Sequence, residues 1–333
     1  MARFAHKLRF ILLAAVLAAA PFPSFAATKK KPATKATTAK KPRPATPKPS
    51  TPRPTAAPPK ATPRPVAAML ADGNLELAAE GAIVIDAYTG APLFEKNPDS
   101  TQYPASTTKI MTALLVIEAG NLDEIVEVTD EDSKVGESGL SIKPGEHYTR
   151  RQMLFGLMLK SANDVAHALG RDNAGTMPAF AEKMTLRAHE LGANNTSFRN
   201  PHGLHDVQHF TNARDLAAIT RAAMQQPYFR KIVSTLAFTW ERTDGPWVVG
   251  NHNRLLKEFP GCTGVKTGFT RPAQQVLASA ALKDGREVIA VVMHTNRPGI
   301  WEDSKLLLTY GMKYPPGTRP LGAIVTPEAQ GGN

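Results

Sequence analysis

One cysteine, Cys262, stands in 333 residues, so no intrachain disulfide and no Cys-X-X-Cys metal or redox pair can form. No metal and no cofactor is expected, and Cys262 reads as a small packing residue rather than a nucleophile. No acidic residue precedes Asp72, although 14 of the 40 Lys and Arg residues lie before residue 69. The rest of the chain therefore carries 26 bases against 29 acids, a net charge of -3. The overall excess of +11 belongs to the N-terminal tail and not to a basic folded surface, which argues against a nucleic-acid partner. The main apolar run, from Phe10 to Ala20, is too short to span a bilayer of about 30 Å as a helix. No internal repeat is present.

That run follows Arg3, Lys7 and Arg9 and ends in Pro21, Pro23 and Ser24-Phe25-Ala26, the pattern of an export signal over residues 1–26 cleaved after Ala26. Residues 27–68 are almost wholly Lys, Arg, Pro, Thr and Ala, without apolar periodicity. Such a stretch cannot build a core, and its proline content favours an extended, cationic spacer. Anionic wall polymers or lipid headgroups suit its charge, and so does a purely solubilising role. The folded domain is expected over 69–314, followed by a Pro/Gly-rich tail over 315–333. The protein is expected outside the cytoplasm, in the periplasm or on the wall side of the membrane.

Within the domain, Ala82 to Asp86 and Pro92 to Glu95 read as a hairpin. Gly264 to Thr270, Val276 to Leu282 and Glu287 to Met293 read as three further strands, the last two joined through Asp284-Gly285. Trp301 to Tyr310 is amphipathic and suits a covering helix. The middle is mainly helical, including Arg151 to Leu169, Met177 to Leu191 and Ala213 to Met224. The fold class is therefore α/β, an antiparallel sheet built from both termini and flanked by helices, with an inserted mainly helical lobe.

The chemistry centres on Tyr103-Pro104-Ala105-Ser106-Thr107-Thr108-Lys109. Ile110, Ala113, Leu114 and Ile117 recur at helical spacing, which puts Ser106 and Lys109 on one face three residues apart. A serine hydroxyl needs a proton acceptor before it attacks, and a lysine serves only when neutral. Lysine titrates near ~10.4 in water, so Lys109 has to be enclosed and close to a second cation. Alone, Ser-X-X-Lys is weak, because composition yields roughly one chance occurrence in such a chain. Ser161-Ala162-Asn163 and Lys266-Thr267-Gly268, each unique here and in the order this chemistry uses, strengthen it.

With these motifs in place, residues 75–314 resemble the serine-type D-alanyl-D-alanine carboxypeptidases, low-molecular-mass penicillin-binding proteins with a class A β-lactamase-like fold. Supporting segments include Asn200-Pro201-His202-Gly203-Leu204, Ala213-Arg214-Asp215 and Asn253-Arg254-Leu255-Leu256. The resemblance implies that Ser106 is acylated by peptidoglycan stem peptides and by β-lactams, with Lys109 as proton acceptor. It implies that Ser161 passes a proton to the leaving amine, while Asn163 orients substrate. It assigns the terminal carboxylate to Lys266 and Thr267, with Arg214 as a further cation, and the oxyanion hole to the N–H groups of Ser106 and Phe269. His202 is expected to hold a turn. The chain departs from the family at Arg271-Pro272-Ala273-Gln274-Gln275, where one residue fewer suggests an altered turn. Neither the β-rich domain nor the amphipathic anchor of many relatives is expected in the tail. The alternatives are a D,D-endopeptidase, a β-lactamase using Glu190 and Asn194, and a non-catalytic wall-binding module.

Overall fold

The computed structural model describes residues 75–315. The expected export signal over 1–26, the spacer over 27–68 and all of the tail beyond Pro315 lie outside the described residues. The strands and helices follow in order as β1 (Gly81–Asp86), β2 (Pro92–Lys96), α1 (Lys109–Ala119), β3 (Ile125–Glu127), α2 (Asp130–Ser133) and β4 (His147–Thr149). Then come α3 (Arg150–Phe155), α4 (Asn163–Ala174), α5 (Met177–Glu190), α6 (Ala213–Met224) and α7 (Pro227–Ser234). The chain ends its described part with β5 (Ala237–Trp240), β6 (Trp247–Gly250), α8 (Leu255–Glu258), β7 (Cys262–Thr270), β8 (Gln274–Lys283), β9 (Arg286–Thr295) and α9 (Gly299–Met312).

Five strands form one antiparallel sheet in the order β2-β1-β9-β8-β7, so strands from both ends of the domain meet at β1 and β9. Alternation sets its two faces. Ile83 and Ile85 join α1 and α6 in the larger core, while Ala82 and Val84 join Leu307 and Leu308 of α9 in a second core. Both faces are thus covered, and each buried Val or Ile contributes roughly 1.5–3 kcal/mol. Asp284 and Gly285 both take positive φ, as the tight β8–β9 turn requires. The turn after β7 is short but regular, with the Ala273 N–H donating to Thr270 Oγ1 at 3.1 Å and Gln274 in the left-handed region. The strand β7 lies at the sheet edge, against the turn that carries Ser106.

One predicted helix is corrected. The stretch expected as a single helix from Arg151 to Leu169 is broken into α3, a π-helical turn (Gly156–Lys160) and α4, with Ser161 between them in the left-handed region at φ 65°. Apolar periodicity runs through Leu157, Met158 and Leu159 because all three are buried, and it hides the break.

Candidate active site

A 3-10 turn (Ala105–Thr108) delivers Ser106 to the mouth of α1. Ala105 holds φ 48°, a left-handed conformation that costs a non-glycine residue about 1–2 kcal/mol. Two glycines let neighbouring backbone close on this turn. A Cβ on Gly203 would stand 1.9 Å from the Ala105 carbonyl oxygen, and one on Gly268 would stand 2.9 Å from the Ser106 nitrogen. Gly268→Ala therefore has to push β7 away from the nucleophile. We expect acylation to slow on the order of 100-fold with the fold retained, measured as the rate of covalent labelling by penicillin.

Lys109 is fully buried. Its Nζ lies 3.1 Å from Ser106 Oγ, 2.7 Å from Asn163 Oδ1 and 2.7 Å from the His202 carbonyl oxygen. A neutral amine offers two N–H donors and one lone pair. Asn163 Oδ1 and the His202 carbonyl only accept, so they take the two N–H groups and leave the lone pair to the Ser106 O–H. Burial and, second, the positive charge of Lys266 push Lys109 well below the ordinary lysine value, while Asp164 and Glu137 oppose them. The His202 ring stays out of the chemistry. It is buried and held neutral by desolvation, and its Nδ1 accepts from the Leu204 N–H at 3.2 Å.

The left-handed Ser161 turns the chain so that Ser161 faces the cleft and Asn163 opens α4. Asn163 is tied on both sides, its Nδ2 donating to the Gly136 carbonyl at 3.1 Å and its backbone N–H to the Ser138 carbonyl at 2.7 Å. On β7, Lys266 is buried and donates to the Thr267 carbonyl at 3.0 Å. Burial pushes its pKa down to about 7. Work that needs its charge must therefore fade as pH rises through that value. We expect an alkaline limb in kcat/KM near neutrality, displaced above about pH 9 in Lys266→Arg because a guanidinium keeps its proton.

Ser106, Ser138, Ser161 and Thr267 bring four hydroxyls to one cleft of about 670 Å3, with Gly268 and Phe269 beside them. Among the lining residues that escaped the sequence reading are three polar ones, Ser138, His252 and Arg297. Arg297, in the loop between β9 and α9, is exposed and has no ion-pair partner among the described residues. Nothing but a lone arginine marks it in the sequence. Arg214 requires a correction. Its guanidinium pairs with Asp99 at 2.7 Å and with Glu95, and it lines a separate groove with Ile83 and Thr89, away from Ser106. Glu190 also lies elsewhere, paired with Arg187 on α5. Cys262 donates to the Gly264 carbonyl at 3.3 Å, and burial raises its thiol pKa, which suits packing. His205 and His209 are four residues apart, but no helix carries them. His205 packs on Tyr103, while His209 Nε2 bonds Thr108 Oγ1 at 2.8 Å.

A serine hydroxyl against a buried lysine, at a sheet edge that carries a second lysine, is an arrangement suited to activating a serine without a histidine base. Residues 67–297 match the D-alanyl-D-alanine carboxypeptidase family. The chain is 36% identical over 244 residues to D-alanyl-D-alanine carboxypeptidase DacF of Bacillus subtilis, covering 70% of this chain and 63% of that protein. It is 32% identical over 244 residues to DacB2 of Mycobacterium tuberculosis, covering 72% and 84%. The crystal structure of a Streptomyces DD-transpeptidase superposes with a TM-score of 0.69 at 32% identity, over 72% of this chain and 98% of that one. A D-alanyl-D-alanine carboxypeptidase structure from Mycobacterium tuberculosis gives 0.70 at 31%, over 73% and 94%. The chain belongs to the D-alanyl-D-alanine carboxypeptidase family and has the penicillin-binding-protein fold. It spans less than two thirds of the length of the Bacillus relative. Among the described residues, no helix is long and apolar enough to cross a membrane.

Proposed function

We propose that this protein removes the terminal D-alanine from peptidoglycan stem peptides through an acyl-enzyme on Ser106. The observation that carries this reading is the set of three partners around Lys109 Nζ, which matches a neutral amine poised over a hydroxyl. Lys109 takes the Ser106 proton as Oγ attacks the carbonyl between the two D-alanines. The backbone N–H groups of Ser106 and Phe269 stabilise the oxyanion, a contribution worth about 3 kcal/mol per donor. The proton that Lys109 has taken passes by way of Ser161 to the leaving amine, which restores neutral Lys109 and Ser161, and Asn163 orients the donor peptide. Lys266, Thr267 and Arg297 hold the terminal carboxylate, with Arg297 in the role that the resemblance implied for Arg214. Water then hydrolyses the ester.

Glu190, the carboxylate of the lactamase alternative, lies on α5 paired with Arg187 and away from the cleft, which supports slow release of penicillin rather than lactamase turnover. A penicillin adduct that persists for minutes favours the carboxypeptidase, and rapid release would overturn it. The cleft continues past Arg297 to Ile300, Trp301 and Arg254, room that suits a larger leaving amine and favours D,D-endopeptidase action as a second reading. A relative named D-alanyl-D-alanine endopeptidase, from Pseudomonas aeruginosa, is 31% identical over 223 residues, 66% of this chain and 72% of its own. The test is product analysis on defined muropeptides. Free D-alanine from pentapeptide stems supports the main reading, and cleavage of cross-linked dimers alone would replace it. The N-terminal signal pattern supports export, and the cationic stretch over 27–68 supports contact with an anionic wall or membrane surface.

A further inference from the structure

Asp164 takes no part in the reaction above, yet it is a carboxylate only 2% exposed, next in sequence to Asn163 and without a salt bridge among the described residues. Its oxygens are satisfied by backbone. The Leu140 N–H donates to Oδ2 at 3.0 Å, the Ile142 N–H to Oδ2 at 3.3 Å, and the Val165 N–H to Oδ1 at 2.8 Å. Leu140 and Ile142 belong to the loop whose Gly136 and Ser138 carbonyls hold Asn163. Ser138 Oγ adds a bond to the Lys160 carbonyl at 3.1 Å. Between them, Gly139 lacks a side chain where one would collide, since a Cβ there would stand 2.9 Å from Asp164 Oδ2. A buried charge met only by oriented N–H groups is costly to unmake.

We infer that Asp164 is a positioning residue that latches residues 136–142 onto the Ser161–Asn163 turn and thereby fixes the Asn163 amide between that loop and Lys109. The inference rests on Ser106 and Lys109 being the reactive pair. The latch works at two removes. Asn163 Nδ2 is held by the loop, which leaves Oδ1 aimed at Lys109 Nζ. If the loop lifts, the amide turns and Lys109 loses one of the two acceptors that orient its lone pair. Asp164 also acts through its charge. The charged and titratable groups facing Lys109 are Lys266 on β7, Asp164 on α4, Glu137 on the loop, and His202, which is neutral. Removing the Asp164 charge strips away part of what favours the ammonium.

The experiment measures acylation by labelled penicillin against pH in the full chain, its Asp164→Asn variant and its Gly139→Ala variant. Gly139→Ala keeps the charge but forces the loop off the carboxylate. Asp164→Asn keeps the shape, removes the charge and turns an acceptor into a donor. Both should slow acylation on the order of 100-fold, the cost of a misplaced group. Only Asp164→Asn should move the acid limb to lower pH. Should Asp164→Asn fail to fold, Gly139→Ala decides, because Gly139 sits on a partly exposed loop. Wild-type acylation in folded Gly139→Ala, or an unmoved acid limb in folded Asp164→Asn, overturns the inference and leaves Ser106 and Lys109 in place. A wild type that takes no label overturns the reading of the site itself.

Discussion

Ser106→Ala abolishes both the penicillin adduct and release of D-alanine, because no other hydroxyl in the cleft is served by a base. Ser138 Oγ donates to the Lys160 carbonyl, and among the described residues the side-chain hydrogen bonds of Lys109 go to Ser106, Asn163 and the His202 carbonyl, not to Ser161. The expected fall in turnover is at least on the order of 10^4-fold. Stability should change little, by about 0.5 kcal/mol, since Ser106 is partly exposed and makes one side-chain hydrogen bond. Intact-mass measurement after incubation with penicillin, followed by peptide mapping of the wild type, checks both halves. An adduct on the alanine variant would remove Ser106 from the mechanism.

Lys109→Met and Lys109→Arg are the second pair, expected to lower kcat/KM on the order of 10^3-fold each. The two distinguish a base from a mere charge. Arginine keeps a cation beside Ser106 and cannot accept a proton at working pH, while methionine fills much of the volume with neither property. Equal loss in both supports proton acceptance, whereas an arginine variant near wild type would assign Lys109 an electrostatic role. Methionine leaves both Asn163 Oδ1 and the His202 carbonyl without the Lys109 donor, at about 1–3 kcal/mol for each buried group, and arginine forces a larger group into a fully buried position. Rates therefore have to be normalised to the folded fraction, read from thermal unfolding.

Much of this site was legible from spacing alone, and the limits are physical. Ser106 and Lys109 share a helical face because three residues separate them, and the burial of Lys109 follows from the apolar run around it. The hairpin Asp284-Gly285 fixes the β8–β9 register and so brings the edge strand β7, with Lys266, to the outside of the sheet. What stayed hidden depends on contacts between distant residues. Arg214 is claimed by Asp99 and Glu95, more than a hundred positions earlier, and no periodicity records that. The break at Ser161 costs the apolar pattern nothing, so the continuous helix was the natural expectation. Arg297 reaches the cleft only because β9 pairs with β8 and places the following loop beside Gln275.

The central claim is that Lys109 is uncharged at the pH where Ser106 reacts. The rate of Ser106 acylation by labelled penicillin, followed from about pH 5 to about pH 10, tests it most directly. Burial and the neighbouring Lys266 hold the proton affinity of Lys109 well below the ordinary lysine value, so acylation should level off well before the pH at which an ordinary lysine loses its proton. A rate still climbing tenfold per unit toward ~10.4, where an unperturbed lysine loses its proton, would contradict the account.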